Sequence, residues 1–158
     1  MAQQHLLAVA LVVASVILSG CSAATTSANT SAADNVGMAY DFLGMNNLPR
    51  GLLPKGVQSC TIEQPDGVLH VTLGGECTFP VTAVGGQVFK MRFNSTAGGT
   101  VKPTSIHEMF GVSVQVNFGW HGVSAIDRDA YKLIFLVEGA SSALAFPIGS
   151  FAVSPSCS

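Results

Sequence analysis

The sequence predicts an all-β domain, an antiparallel barrel-like or sandwich arrangement with one short N-terminal helix. Apolar and polar residues alternate over several short runs, Gly and Pro punctuation separates those runs at hairpin spacing, and a single stretch carries helical periodicity. The clearest run is Val112-Ser113-Val114-Gln115-Val116-Asn117-Phe118-Gly119-Trp120. Successive side chains of a strand point to opposite faces, so Val112, Val114, Val116, Phe118 and Trp120 share one face and the intervening residues the other. A helix would scatter those apolar residues around its circumference, whereas β-branched valines pack well on a pleated surface. This inward face is the candidate lining for an apolar ligand if the strands enclose a cavity, although at this length a filled core is the default.

The beginning of the chain reads as an export signal. Leu6 to Leu18 is an apolar run broken only by Ser15, suited to a signal-peptide core and too short to span a bilayer comfortably. Ser19, Gly20, Cys21, Ser22, Ala23 and Ala24 then supply the small side chains that a signal peptidase accepts, which places cleavage after Ala23 or Ala24. Leu18-Ser19-Gly20-Cys21 also fits a bacterial lipidation box, but Met1 to His5 holds no Lys or Arg, and bacterial export signals start basic. The expected layout is a signal peptide over residues 1–23, a disordered Ser/Thr/Ala-rich linker over 24–34 and one domain over 35–158.

Within the domain, Asp34 can cap a helix in which Val36, Ala39, Tyr40 and Leu43 recur at helical spacing, predicting a helix from Asn35 to Met45 that Asn46-Asn47 and Pro49 terminate. Leu48-Pro49-Arg50-Gly51-Leu52-Leu53-Pro54 follows as an extended connector whose leucines plug one end of the core. Strands are then expected over Val57–Ile62 and Val68–Leu73 around Pro65-Asp66-Gly67, over Cys77–Val84 after Gly74-Gly75, and over Val88–Phe93 after Gly85-Gly86. Asn94 to Met109 is the least legible stretch, with a short strand at Thr100–Lys102. Beyond it the reading is one strand over Val112–Trp120, then Val123–Asp127, then Tyr131–Val137 covered on both faces, and last Ser142–Phe146 closed by Pro147. Asp127-Arg128-Asp129 reads as a solvated hairpin tip.

Seven Lys and Arg balance nine Asp and Glu, and the basic residues are scattered, which disfavours nucleic-acid binding and strong attraction to anionic membranes. Without Cys21, the cysteines Cys60, Cys77 and Cys157 allow one disulfide and one leftover thiol, with three pairings open. Asn29-Thr30-Ser31 and Asn94-Ser95-Thr96 are N-glycosylation acceptors if the chain enters the endoplasmic reticulum, which marks Asn29 and Asn94 as candidates. His107-Glu108 lacks the second histidine of a zinc-protease helix, Gly139-Ala140-Ser141-Ser142-Ala143 lacks the closing glycine of a nucleophile elbow, and Gly85-Gly86 and Gly98-Gly99 have no following helix to hold a phosphate. No metal site, cofactor or catalytic residue is assigned.

Tyr40-Asp41-Phe42-Leu43, the connector from Leu48 to Val57, the pair Glu76-Cys77, the run from Gly111 to Val116 ending at Trp120, and Pro155-Ser156-Cys157 occur in an order and spacing that resembles the plant domain of unknown function 538 family. The resemblance covers Tyr40 to Cys157. It implies a barrel-like all-β fold with a leading helix, entry into the secretory pathway toward the apoplast, cell wall or vacuole, and a Cys77–Cys157 bridge, since those positions fit the family pattern better than Cys60. Members have been proposed to resemble lipopolysaccharide-binding, permeability-increasing proteins, and a carboxylesterase-like action on chlorophyll has been suggested. Neither proposal brings catalytic residues to this chain. The sequence departs from the family pattern between Ala97 and Phe110, where Ala97-Gly98-Gly99-Thr100 and Lys102-Pro103-Thr104 replace a Thr-Gly turn and a Lys-Gly-rich hairpin.

The resulting expectation is a secreted or endomembrane, non-enzymatic binding module for an apolar or amphipathic, lipid-like ligand, with no nucleic-acid partner and no stable membrane span. The alternatives are a carboxylesterase-like hydrolase and a stress or developmental protein acting through protein contacts.

Overall fold

A computed structural model describes residues 18–20 and 32–158. The rest of the expected leader and linker, with Cys21 and Asn29, lies outside the described residues. Leu18–Gly20 forms β1, a short strand antiparallel to Thr61–Glu63 on the outer edge of β2 (Val57–Glu63). An extended segment there pairs backbone groups that an edge strand otherwise leaves open.

Helix α1 runs over Ala32–Met45, starting earlier than the periodicity predicts, so position 34 falls inside the helix and not at its start. Ala39 and Leu43 are its buried stripe. Its end is a Schellman motif: Leu48 N donates to Leu43 O at 3.0 Å, Asn47 N donates to Gly44 O at 3.0 Å, and Asn47 takes φ 59°. Asparagine tolerates that left-handed conformation better than most residues, which explains why the Asn46-Asn47 pair stops the helix. Leu48, Leu52, Leu53 and Pro54 then pack into the core, as the sequence indicates, but the connector is not extended throughout, because Arg50–Leu52 forms a 3-10 turn. The Tyr40 hydroxyl donates to Pro54 O at 2.6 Å and ties helix to connector.

The strands β2, β3 (Val68–Leu73), β4 (Cys77–Thr82), β5 (Val88–Lys102), β6 (Ser105–Val116), β7 (Gly119–Asp129), β8 (Lys132–Val137) and β9 (Leu144–Pro147) are joined by antiparallel pairing in the order β1-β2-β3-β5-β6-β7-β8-β9, with β4 also on β5. Alternation places Phe89, Met91 and Phe93 inside on β5, and Leu69, Val71 and Leu73 inside on β3. The sheet curls until β9 approaches the end of β4, where Val84 N donates to Ala145 O at 2.9 Å and Ser150 Oγ donates to Thr82 O at 2.8 Å. No ladder forms across that seam among the described residues, so the barrel-like wall stays open.

The least legible stretch holds the fold's main device. β5 does not end at Phe93: its first half pairs with β4 (Thr82↔Val88 to Cys77↔Phe93) and its second with β3 (Thr72↔Thr96 to Val68↔Thr100). β6 follows it on the other side with register shifts between Phe93 and Thr100. Gly98 and Gly111 permit the bend, because a Cβ at Gly98 would overlap the Leu69 carbonyl and one at Gly111 the Thr96 carbonyl, and Gly111 holds φ 74°.

Three other expectations are corrected. The Val112–Trp120 strand is two strands, β6 ending at Val116 and β7 starting at Gly119, because Asn117 and Phe118 both adopt positive φ, 50° and 70°, and reverse the chain. On β8 only one face is sealed: Leu133 and Phe135 are buried while Leu136 is 44% exposed. Asp127-Arg128-Asp129 is the end of β7 and not a tip; Arg128 Nη1 donates to Asn47 O at 2.8 Å and to Asn47 Oδ1 at 3.0 Å, clamping the helix terminus.

Phe79, Phe89, Phe93, Phe135, Phe146 and Phe151 form the aromatic centre of the core, with ring centroids 4.7–6.0 Å apart in the contacting pairs. Cys77 and Cys157 are bridged across 80 residues of sequence. Cys60 is disulfide-bonded as well, so the leftover thiol expected from the sequence is not found among the described residues.

Two outcomes follow from this packing. Replacing Cys77 and Cys157 together by serine releases a long loop in the unfolded chain and is expected to lower stability by about 2–5 kcal/mol, read as a reduced urea midpoint. Burial pushes the Tyr40 phenol above its ordinary value of 10.0, against a smaller opposing effect of the Val57 backbone. The folded state therefore holds this proton more tightly than the unfolded state. Its contribution is complete below the unfolded value and is lost as pH rises through the folded one. Tyr40→Phe is expected to make the alkaline fall in stability shallower, measured by urea denaturation at stepped pH.

Candidate functional site

Among the described residues a shallow hollow of about 440 Å³, lined by Val84, Asp129, Ala130, Tyr131, Lys132 and Pro147, lies open on the surface without a histidine or serine. Two further concavities compete for the role of a site. The first is a void inside the fold, between the helix–connector cap and the bent sheet, lined by apolar residues that include Leu43, Leu53, Met91, Met109 and Val112. It measures about 30 Å³. Small-molecule sites occupy roughly 300–1,000 Å³, so the interior is a filled core with a packing gap.

The second is a cleft of about 470 Å³ at one mouth of the barrel. One wall is the β6–β7 reversal, with Val116, Asn117, Gly119 and His121; the other is the β8–β9 connection, with Gly139, Ala140, Ser141, Ser142 and Leu144. The apolar and polar linings have different origins. Val116 and Leu144 sit at strand ends that have run past the core, so they stay half-buried, while the turn and loop supply hydroxyl, amide and imidazole groups. His121 Nδ1 lies 3.1 Å from Glu138 O. A carbonyl only accepts, so in this contact Nδ1 is the donor and Nε2 points away from Glu138. Gly139, at φ 73°, lets the loop pass close to that ring.

The residues proposed from the sequence as one ligand-lining face are divided by the turn. Val112 and Val114 are core residues, and Val112 touches only the small void. Val116 lines the cleft. Phe118 projects from its rim, 96% exposed. Trp120 pairs with Gln115 on the outer face of the wall and lies under the Arg92 guanidinium, 4.2 Å from the ring centroid. The strict alternation failed because a two-residue reversal inverts the face of everything after it.

The histidines separate. His107 Nε2 meets Asp127 Oδ1 at 2.9 Å in a half-exposed pair on β6 and β7. His70 packs against Phe110 with centroids 5.1 Å apart. Among the described histidines only His121 reaches the cleft. Among the described residues no group of three or more metal-ligating side chains converges, and no helix is long and apolar enough to cross a membrane. The sequence holds one signal for the second wall: Gly139-Ala140-Ser141-Ser142-Ala143 has the small residues of a nucleophile elbow without its closing glycine. It is the cleft's loop.

A family model described as a protein of unknown function, DUF538, matches residues 39–152. The chain belongs to this family. No curated protein and no solved structure matches it. The DUF538 match spans α1 from Ala39, the connector and all strands from β2 to β9, and it stops short of Cys157. Every cleft residue therefore lies in the family domain.

Phe118 is the anomaly of this DUF538 domain: a bulky side chain in the left-handed position where a hairpin turn favours glycine, with its ring in solvent. Phe118→Gly removes that strain and forfeits almost no burial. It is expected to raise stability by about 1 kcal/mol in urea denaturation. A loss of stability would instead mean that the ring packs in solution.

Proposed function

We propose that the protein is a binding module for an amphipathic small ligand, held in the cleft between the Val116–Gly119 reversal and the Gly139–Ser142 loop and not in the barrel interior. The single observation behind this reading is the contrast in size and lining. The interior void is about 30 Å³, while the cleft is about 470 Å³ and sets Val116, Ala140 and Leu144 beside Asn117, His121 and the Ser141 and Ser142 hydroxyls. An apolar wall with a few convergent polar groups is the usual construction of a small-molecule site. Phe118 on the rim adds an aromatic surface that a hydrocarbon chain can cover, which accounts for a strained turn kept at an exposed position.

The proposal includes passage through the secretory pathway. The Cys77–Cys157 bridge supports it, since disulfides persist in oxidising compartments. Asn94-Ser95-Thr96 is exposed in all three residues, which makes Asn94 a reachable glycan acceptor there.

The test is calorimetric titration of the full chain with lysophosphatidylcholine below its micellar concentration, beside native mass spectrometry of protein secreted from eukaryotic cells. A saturable heat is expected, weakened at least about tenfold by Leu144→Asp in a variant whose circular dichroism is unchanged. Titrations without heat, and a secreted protein whose mass carries no ligand, would sink the reading.

One observation favours an esterase as the second reading. His121, oriented by the Glu138 carbonyl, shares the cleft with Ser141 and Ser142, although no serine hydrogen-bonds to it among the described residues. Turnover of p-nitrophenyl butyrate that disappears in His121→Ala would select it over simple binding.

A further inference from the structure

Three arginines are present among the described residues, and two are used to hold the fold: Arg50 Nη2 lies 2.9 Å from Asp41 Oδ1, and Arg128 is bonded to Asn47. Arg92 differs. Its Nε is buried without a hydrogen-bond partner, and no carboxylate among the described residues pairs with its guanidinium. The group is nevertheless held in place, 4.2 Å above the centroid of the Trp120 ring. Arg92 pairs across the sheet with Ser113 on one side and Thr78 on the other. Lys90 follows two residues away on the same outer face, exposed and also without an acidic partner. One acid on this face is Glu138. Its carboxylate lies over Gly122, the cross-strand partner of Ser113, and it makes no ion pair there.

We propose that Arg92, braced by Trp120 and assisted by Lys90, is a binding site for an oxyanion, the carboxylate or phosphate group of a small ligand, on the outer face of the barrel wall. A guanidinium is a planar fork that matches both groups with two parallel hydrogen bonds, and stacking on an indole fixes the plane of that fork before the ligand arrives. A side chain already ordered loses little further freedom on binding. The terminal amino groups of Arg92 remain open to solvent, because Nε alone is sealed without a partner. An approaching anion thus meets the fork end-on, with the Ser113 hydroxyl on the neighbouring strand and the Lys90 ammonium further along β5. This site is separate from the mouth cleft: Trp120 stands on the opposite face from His121, so the two can fill independently.

Trp120 is the protein's single tryptophan and reports on its own site. Full-length protein is titrated with sodium phosphate and, separately, with sodium acetate, against sodium chloride at matched ionic strength. Tryptophan fluorescence is followed, with calorimetry as a second readout in case the fluorophore is silent. A saturable signal with phosphate alone assigns a phosphate site, with acetate alone a carboxylate site, and with both the shared chemistry; each supports the proposal. Arg92→Lys keeps the charge but loses the fork, and is expected to weaken binding at least about tenfold. Lys90→Gln is expected to weaken it by a smaller factor. Neither anion giving fluorescence change or heat beyond the chloride control overturns the proposal, and so does an Arg92→Lys titration that superimposes on that of the unaltered protein.

Discussion

The architecture depends on β5 changing partners halfway along its length. A strand of 15 residues that served one flat sheet would leave half its apolar side chains without a cover. By releasing β4 after Phe93 and taking up β3 from Thr96, β5 turns one sheet into two walls that face each other. The crossing is sterically possible only where backbones can touch, at Gly98 against Leu69 and at Gly111 against Thr96 and Ala97. Just before those contacts Ser95 keeps the inward phase of the strand and is still exposed, which marks where the chain passes over the edge of the core.

That bend also explains which parts of the fold were legible. Hairpins with one buried face and glycine at the reversal, such as β2–β3 with Gly67 and β4–β5 with Gly85 and Gly86, follow from alternation and turn chemistry together. Asn47 apart, where the helix stop was legible, the readings failed where the backbone takes a left-handed conformation without glycine. Thr104 at φ 66°, Asn117 at 50°, Phe118 at 70° and Ala130 at 53° each sit in a reversal whose side chains do not announce it. Val112 to Trp120 misled for this reason: every residue obeyed the period while the chain turned back on itself.

The site was less legible than the fold because it is assembled from separate stretches. Nothing in the sequence brings Val116 to Leu144 or His121 to Ser142; that follows from β7 lying between β6 and β8 and from where their turns fall. The basic residues looked scattered along the chain, and most are. Lys90 and Arg92 share a face only because a strand repeats every second residue, and Trp120 reaches Arg92 across the intervening β6. The interior, in contrast, behaved as a domain of this size requires. Its phenylalanines consume the space that a wider barrel would have left for a guest.

The segment from Pro155 to Ser158 has a role beyond its bridge. Lys55 N donates to Pro155 O at 2.8 Å, Cys157 is bonded to Cys77, and Ser158 N donates to Thr78 O at 2.9 Å, so the segment lies along the side of β4 that β5 does not occupy. A bare strand margin is a template on which a second chain can stack and begin a fibril. Stapled across that margin, these few residues occupy backbone that would otherwise be open to pairing with another strand.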